Sequence, residues 1–381
     1  MKKKLLGSII HLTKGKKPHT QATTPQNGFL PYVDIKAFEK GIIDNYADPD
    51  KCLLCEAGDV LMVCDGARSG FVGKAIPGVV CSTLAVVSAE GCNKNYLFYY
   101  LQSIYQLLNT RPKGTGTPHV NLDILMNSEL LVPPLAEQDR IVAKIEELFS
   151  QLDAAVAELK NAKEKLNVYR QAVLNDAFRN EEEWEKHPFS NLMESIKNGY
   201  GIKPTDNGDY KILKISSVRP LNLNMDEARL NNKPFNSEFL INEFDLLFTR
   251  YNGSKDLVGV CAVVPHLSTS YAYPDKIIKC TPKVKNKVHS SFLCYYLNQG
   301  KARQYIRSKI KTTSGQNGIS GADLKKTLVR IPNINLQETI VNQIEERLSF
   351  CTNIEQIVED SLQRASVLRQ SILKLAFEGK L

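Results

Sequence analysis

Val132-Pro133-Pro134-Leu135-Ala136-Glu137-Gln138-Asp139-Arg140-Ile141-Val142-Ala143-Lys144-Ile145-Glu146-Glu147 returns 199 positions later as Ile331-Pro332-Asn333-Ile334-Asn335-Leu336-Gln337-Glu338-Thr339-Ile340-Val341-Asn342-Gln343-Ile344-Glu345-Glu346. Proline, glutamine, the Ile-Val pair and Ile-Glu-Glu keep the same register in both copies. That register runs without a gap to Arg170-Gln171, Leu174 and Ala177-Phe178, which match Arg369-Gln370, Leu373 and Ala376-Phe377. Upstream the match continues with small insertions. Leu97-Phe98-Tyr99-Tyr100-Leu101 pairs with Leu293-Cys294-Tyr295-Tyr296-Leu297, and Asp59-Val60-Leu61 with Asp245-Leu246-Leu247. Gly73 aligns with Gly259, Tyr32-Val33-Asp34-Ile35 with Ile212-Leu213-Lys214-Ile215, and Lys17-Pro18 with Lys203-Pro204. The chain therefore reads as globular unit, helical segment, globular unit, helical segment. Two copies are too few for a solenoid and point to a molecule with an internal pseudo-two-fold.

The helical segments follow from spacing. Prolines precede Glu137 and Asp139, acidic residues suited to a first helical turn. Ile141, Ile145, Leu148, Leu152, Ala155, Leu159, Ala162, Leu166, Tyr169 and Val173 then alternate steps of four and three, a heptad seam. At 1.5 Å per residue that seam spans about 50 Å. The second copy places Ile340, Ile344, Arg347, Cys351, Ile354, Val358, Ser361, Ala365, Leu368 and Ile372 at the matching positions. A lone helix cannot bury such a stripe, so the two helices are expected to pack on each other, antiparallel. The globular units read as mixed α and β. Strands are expected at 29–35, 60–64, 79–87, 211–216, 246–250, 258–264 and 276–280, and helices at 96–108 and 291–310. The predicted fold class is α+β. Two mixed α/β units (1–130 and 181–330) are separated by two long helical segments (131–180 and 331–381), packed as an antiparallel coiled coil.

Composition bounds the function. A chain of 381 residues with 43% apolar content allows two or three domains with real cores. Nine scattered cysteines do not form a secreted disulfide framework, which favours a reducing cytoplasm. No apolar run reaches about 18 residues, which argues against a membrane span. After Met1-Lys2-Lys3-Lys4, Leu5-Leu6 is too short for a signal-peptide core. The net charge of +8 is unevenly spread: +3 on 1–130, −1 on 131–180, +8 on 181–330 and −2 on 331–381. Positive charge thus sits on the globular units, densest between Lys276 and Lys311, as expected for phosphate contacts there and protein contacts on the helices. The second unit is expected to supply more of the phosphate-driven affinity.

The Pro133-to-Val142 helix start, the helix behind it, the Tyr169-Arg170-Gln171-Ala172-Val173-Leu174 end and the duplicated layout resemble the specificity subunit of type I restriction-modification systems, over essentially the whole chain. The second helix start departs from that pattern, with Asn333-Ile334-Asn335-Leu336 in place of Pro134-Leu135-Ala136-Glu137. The resemblance implies that each globular unit is a target recognition domain reading one half of a split site in double-stranded DNA. It implies that the helices set the gap between halves and dock two modification (adenine methyltransferase) subunits, with restriction subunits joining that core. The physics agrees: two similar heads on a stiff spacer read two half-sites at fixed separation.

The candidate DNA-contacting residues lie in loops. The loop after the Asp59 strand offers Asp65, Arg68 and Ser69, and its counterpart offers Arg250, Tyr251, Asn252, Ser254 and Lys255. Arg suits guanine, Asn adenine, and Asp can accept from cytosine N4. The polar stretches beyond add Lys113, Thr115, Thr117, His119 and Asn121, and Thr312, Thr313, Ser314, Gln316 and Asn317. Lys14, Lys16, Lys17 and Lys203 are candidate phosphate contacts. The expected helix seam comprises Ile141, Ile145, Leu148, Leu152, Leu159, Leu166, Ile340, Ile344, Ile354, Val358, Leu368 and Ile372.

No catalytic motif is intact in the sequence. Gly66 to Ala75 fails as a phosphate loop, with Arg68 where the loop needs glycine and Ala75 where magnesium needs a hydroxyl. Val132-Pro133-Pro134-Leu135 is not the tetrad of an adenine methyltransferase, and neither GxSxG nor HExxH occurs. Cys52-x-x-Cys55 lacks a second ligand pair for zinc, and Trp184 reads as a packing anchor. The chain is thus expected to be non-catalytic and to hold no metal or cofactor. S-adenosylmethionine, ATP and magnesium are left to partner subunits. Two other readings stay open: a coiled-coil scaffold with protein-binding heads, and a degenerate methyltransferase or nuclease.

Overall fold

In each half of the chain one short strand is apolar at nearly every position, and the fold is built around it. Val60–Val63 and Leu246–Thr249 are buried on both faces, as a central strand requires. The computed structural model describes residues 3–110, 118–201, 205, 207–283, 288–313 and 315–381, with the backbone alone at 110 and 313. The described residues divide into two compact units, one within 1–161 and 358–381, the other within 162–357. The divisions fall inside the two long helices, Leu135–Ala177 and Ile334–Phe377, so each unit has a head and a part of both helices.

The two heads repeat one topology. In the first, the sheet order is Ile10–Lys14, Leu84–Ala89, Val60–Val63, Val72–Lys74, all antiparallel. In the second it is Met193–Asn198, Ile277–Pro282, Leu246–Thr249, Cys261–Val263, again antiparallel. Strand alternation then sorts the side chains. Val60 and Met62 face a core shared with Lys94–Ser103 and the long helices, while Leu61 and Val63 face a second core with Val33 and Val80. Leu246 and Phe248 join one core of the second head, and Leu247 the other. A parallel pairing lies behind each sheet, Tyr32 opposite Val79 in one head and Lys211 opposite Tyr271 in the other. The ends of each head meet in a two-stranded ladder: Lys3–Leu5 with Glu129–Leu131, and Glu185–Pro188 with Leu328–Ile331.

The expected strand at 79–87 is two strands, Gly78–Val80 and Leu84–Ala89, and the expected helix at 291–310 is Ser290–Leu297 followed by Gly300–Ser308. Gly300, at φ 56°, marks that break. The repeat-related glycines also differ from expectation. Gly70, not Gly73, is the counterpart of Gly259: its N–H donates to the Val63 carbonyl as that of Gly259 donates to Thr249, both at 2.8 Å. The loop is three residues shorter in the first head, which shifts the pairing.

Within each unit the two helix portions run antiparallel. In one, Ile141, Ile145 and Phe149 pack with Ile372, Leu373 and Ala376. In the other, Leu174 and Phe178 pack with Ile340, Val341 and Ile344. Leu148, Leu152, Leu159, Leu166 and Ile354 are partly buried, and Val358 is buried. Leu368 departs from the expected seam, being 50% exposed, as does its repeat mate Tyr169. The next residue takes the inward position in each copy. The Arg369 guanidinium lies 4.1 Å from the Phe149 ring centre and pairs with Asp153, and Arg170 pairs with Glu355 at 2.7 Å. Likewise Arg347 points outward to Asp176 and Leu348 is partly buried. An α-helix with 3.6 residues per turn drifts from a strict 3.5 repeat, and the inward face moves on by one residue.

The repeated glutamine has a structural task. Gln138 is fully buried; its Oε1 accepts the Asn93 N–H at 2.9 Å, and its Nε2 donates to the carbonyls of Gly91 (2.6 Å) and Pro133 (2.9 Å). Gln337 accepts the His289 N–H at 3.0 Å and donates to Pro332 at 2.9 Å. Each glutamine fastens the long helix to the loop that opens the head's own helix. Trp184 is a packing anchor, its ring against those of Phe178 and Phe292, which also touch each other.

Candidate nucleic-acid interface

Two loops far apart in sequence meet in each head, at matched repeat positions. In the second head Tyr251–Asn252 pairs antiparallel with Gln316–Gly318, which turns back onto Lys311–Thr313. Asn317 ties the three together: its Nδ2 donates to the Gly253 carbonyl at 2.9 Å, and its Oδ1 accepts from Thr312 Oγ1 at 2.8 Å. In the first head Asp65 bridges His119, and Gly66 N–H donates to the Pro118 carbonyl at 2.8 Å. Val120 N–H to Cys64 and Ile319 N–H to Arg250 are the matching bonds that fix the two registers.

The base of each loop is held by the glycine at φ 87° (Gly70) or 67° (Gly259). A Cβ there would stand 2.8 Å from Leu108 Cβ or 2.5 Å from Ile306 Cγ2. The helix behind the loop thus comes closer than any side chain would allow, and it sets the loop's height on the head.

In the first head the face is charged. Asp65 accepts from Lys14 Nζ at 2.6 Å and from His119 Nδ1 at 2.7 Å. Partial burial opposes ionisation of Asp65, but these two partners outweigh it and hold the carboxyl below the usual carboxylate range. Lys16 and Lys17 follow on the same stretch and are exposed. Arg68 pairs with Glu39 at 2.8 Å and stacks on Phe71, 4.0 Å from its centre. In the second head the Arg250 guanidinium lies 4.7 Å from the Tyr251 ring centre and donates to the Asp275 carbonyl at 3.2 Å. Asn252 accepts from the Ser254 N–H at 3.0 Å, a local turn, while Ser254, Lys255 and Gln316 are exposed.

Of the candidates from the sequence, one is closed off from solvent and another, half-buried, lends its side-chain oxygen to its own helix. Ser69 is fully buried beneath its own loop. Asn121 caps Leu122–Met126, its Oδ1 accepting the Ile124 N–H at 3.3 Å. Lys113, Thr115, Thr117, Lys203, Ser314 and the Thr313 side chain lie outside the described residues. The basic run 276–311 is not one surface. Lys279 is buried, donating to the Leu240 carbonyl at 2.6 Å, and burial lowers its pKa. Arg303 donates to the carbonyls of Val258 and Asp256, Lys301 pairs with Glu182, and Arg307 pairs with Asp256. Lys276, Lys309 and Lys311 remain exposed, and Lys285 and Lys287 lie outside the described residues. Sequence reasoning missed the inward arginines of the helices and the partners of Asp65, because both depend on which residues meet across the fold.

Cys55 is a packed thiol whose Sγ donates to the Ile76 carbonyl at 3.2 Å, and burial pushes its pKa up to about 11. Among the described residues no cluster of three or more His, Cys, Asp or Glu could hold a metal, and no helix is long and apolar enough to cross a membrane.

The model of the type I restriction modification DNA specificity domain matches this chain twice, over 1–166 and 181–364. The chain belongs to that family. Its two matched segments coincide with the duplication, one specificity domain per copy. The specificity subunit of the type I restriction enzyme EcoKI from Escherichia coli K12 is 34% identical over 267 residues, 66% of this chain and 57% of that protein. The chain thus matches little more than half the length of that relative. The StySPI specificity subunit from Salmonella potsdam is 26% identical, over 96% of this chain and 82% of its own. Among solved structures, a chain from a type I R-M system is similar over 100% of this chain and 98% of its own, at TM-score 0.76 and 19% identity. The HsdS subunit from Thermoanaerobacter tengcongensis covers 100% and 97% at TM-score 0.58, also 19% identical. At those identities the likeness is one of fold, and it extends over both specificity domains.

Proposed function

We propose that this specificity-family chain binds a bipartite target in double-stranded DNA, each head reading one half, and positions adenine methyltransferase and restriction subunits of a type I restriction-modification complex. One observation carries the reading: both heads bring the same two repeat-related loops together, through Asp65 with His119 and Tyr251 with Gly318. A polar face built twice to one plan suits two half-sites of one duplex. Bases are read from these loops, and lysines beside them position the phosphates. In this reading the chain is not an enzyme. It works in the cytoplasm with two modification subunits on its helices, and S-adenosylmethionine, ATP and magnesium belong to the partner subunits, restriction subunits included.

The deciding experiment exchanges residues 1–130 for another family member's first head and maps methylated adenines in the host genome. The paired strands at each head's ends make the head a module. One half of the recognised sequence is expected to change while the other stays. A change in both halves, or in neither, defeats the modular account, and absence of duplex binding with partners present favours the scaffold reading.

Salt dependence gives a second prediction. Each phosphate that a lysine no longer neutralises lowers the slope of log affinity against log salt by about 0.9. Replacing exposed Lys16 and Lys17, or Lys276 and Lys311, by Met should flatten the slope by up to that amount per residue. Lys279→Met should lower stability and leave the slope unchanged. Titrations at several salt concentrations separate the two outcomes.

A further inference from the structure

A carboxylate is an unwelcome group on a surface that meets DNA, which carries one negative charge per about 1.7 Å of axis. Asp65 sits on that surface, at the point where the two loops of the first head join. It is not a stray surface charge. Lys14 holds Oδ2, His119 holds Oδ1, and the side chain keeps 18% of its surface open. Two partners leave further lone-pair positions on an ionised carboxylate, and these can only accept. The matched position in the second head is Tyr251, with Arg250 stacked on it, a different chemistry in the same place.

In the major groove the only hydrogen-bond donors on base edges are cytosine N4 and adenine N6. Adenine N6 shares the major-groove edge with the N7 acceptor, which repels a carboxylate, whereas on cytosine's major-groove edge N4 has only the C5–H beside it. We propose that Asp65 is a specificity-determining residue of the first head, accepting a hydrogen bond from the exocyclic amino group of one cytosine in its half-site. This rests on the DNA-reading function proposed above. Lys14 and His119 are positioning residues: they keep Asp65 ionised, fix its direction and offset its charge against the phosphates. The other reading of Asp65, a simple ion pair that holds the loop, predicts no letter.

The test uses the full chain with its modification subunits, a randomised duplex DNA library, and sequencing of the bound fraction. Wild type is expected to enrich a two-part sequence with a cytosine in one half. Asp65→Asn, nearly the same shape, is expected to lower the preference for cytosine at that single position by roughly tenfold and leave the other half unchanged. Asp65→Ala should relax the same position. Lys14→Met should weaken binding and lower the cytosine preference by less than Asp65→Asn, since His119 still holds Oδ1. Unchanged preference at every position in both Asp65 variants overturns the assignment while the DNA reading stands, as does a change at a position that is not a C·G pair. If wild type enriches no sequence, the proposed function itself fails, and this assignment with it.

Discussion

Gln138→Leu is expected to destabilise the first unit by about 3 kcal/mol or more, although the two side chains are similar in size. The amide is fully buried and serves three backbone groups: the Asn93 N–H and the carbonyls of Gly91 and Pro133. A leucine leaves all three without this partner, and each buried polar group so stranded costs about 1–3 kcal/mol. Gln138→Glu keeps the acceptor and loses the donor, so an intermediate loss is expected. Gln337→Leu removes the bonds to the His289 N–H and the Pro332 carbonyl, and a comparable loss in the second unit follows. Denaturant unfolding gives the magnitudes, and hydrogen exchange at the Asn93 amide shows whether the loss is local. An unperturbed Asn93 amide in Gln138→Leu would contradict the clasp. Under the proposed reading of a split DNA target, loosening this clasp would also weaken DNA recognition by the first head.

Gly259→Ala is the second large effect, at about 3 kcal/mol. Two costs combine. A residue with a Cβ at φ 67° meets its own backbone, at about 1–2 kcal/mol. The new methyl also stands 2.5 Å from Ile306 Cγ2 in a filled core, where overpacking costs about 1–3 kcal/mol. Ile306→Ala opens space opposite it. The double variant should therefore be less destabilised than the two single losses added together, with the conformational cost remaining. Strict additivity in a double-mutant cycle would show that the contact is not what constrains this position. Because Gly259 holds the base of the loop carrying Arg250 and Tyr251, specific DNA binding should fall along with stability. Gly70→Ala should act the same way on the first head, through Leu108.

Much of this was legible in the residues. The duplication, the long helices and the central strands rest on local patterns: repeat register, 3.5-residue spacing, and the apolar runs Val60–Val63 and Leu246–Phe248. The candidate loops were legible too, since glycine and polar residues mark turns wherever the chain finally places them. What failed is instructive in each case. Leu368 looked inward because the heptad count ignored helical drift, and the structure turns Arg369 onto Phe149 instead. Lys279 and Arg303 counted as free charge because a sequence cannot show that carbonyls of Leu240 and Val258 wait for them. Ser69 looked like a surface polar group, but it lies under its own loop.

The sequence by itself determined that there are two heads and two helices, and that one plan is written twice, because repeats and periodicities are properties of neighbours along the chain. Tertiary structure alone decided which polar groups are available. Whether a lysine meets solvent or a carbonyl, or an aspartate stands alone or between Lys14 and His119, depends on residues 51 and 54 positions away. Hydrogen bonds and ion pairs act over a few ångströms, and only folding brings such distant residues within that range.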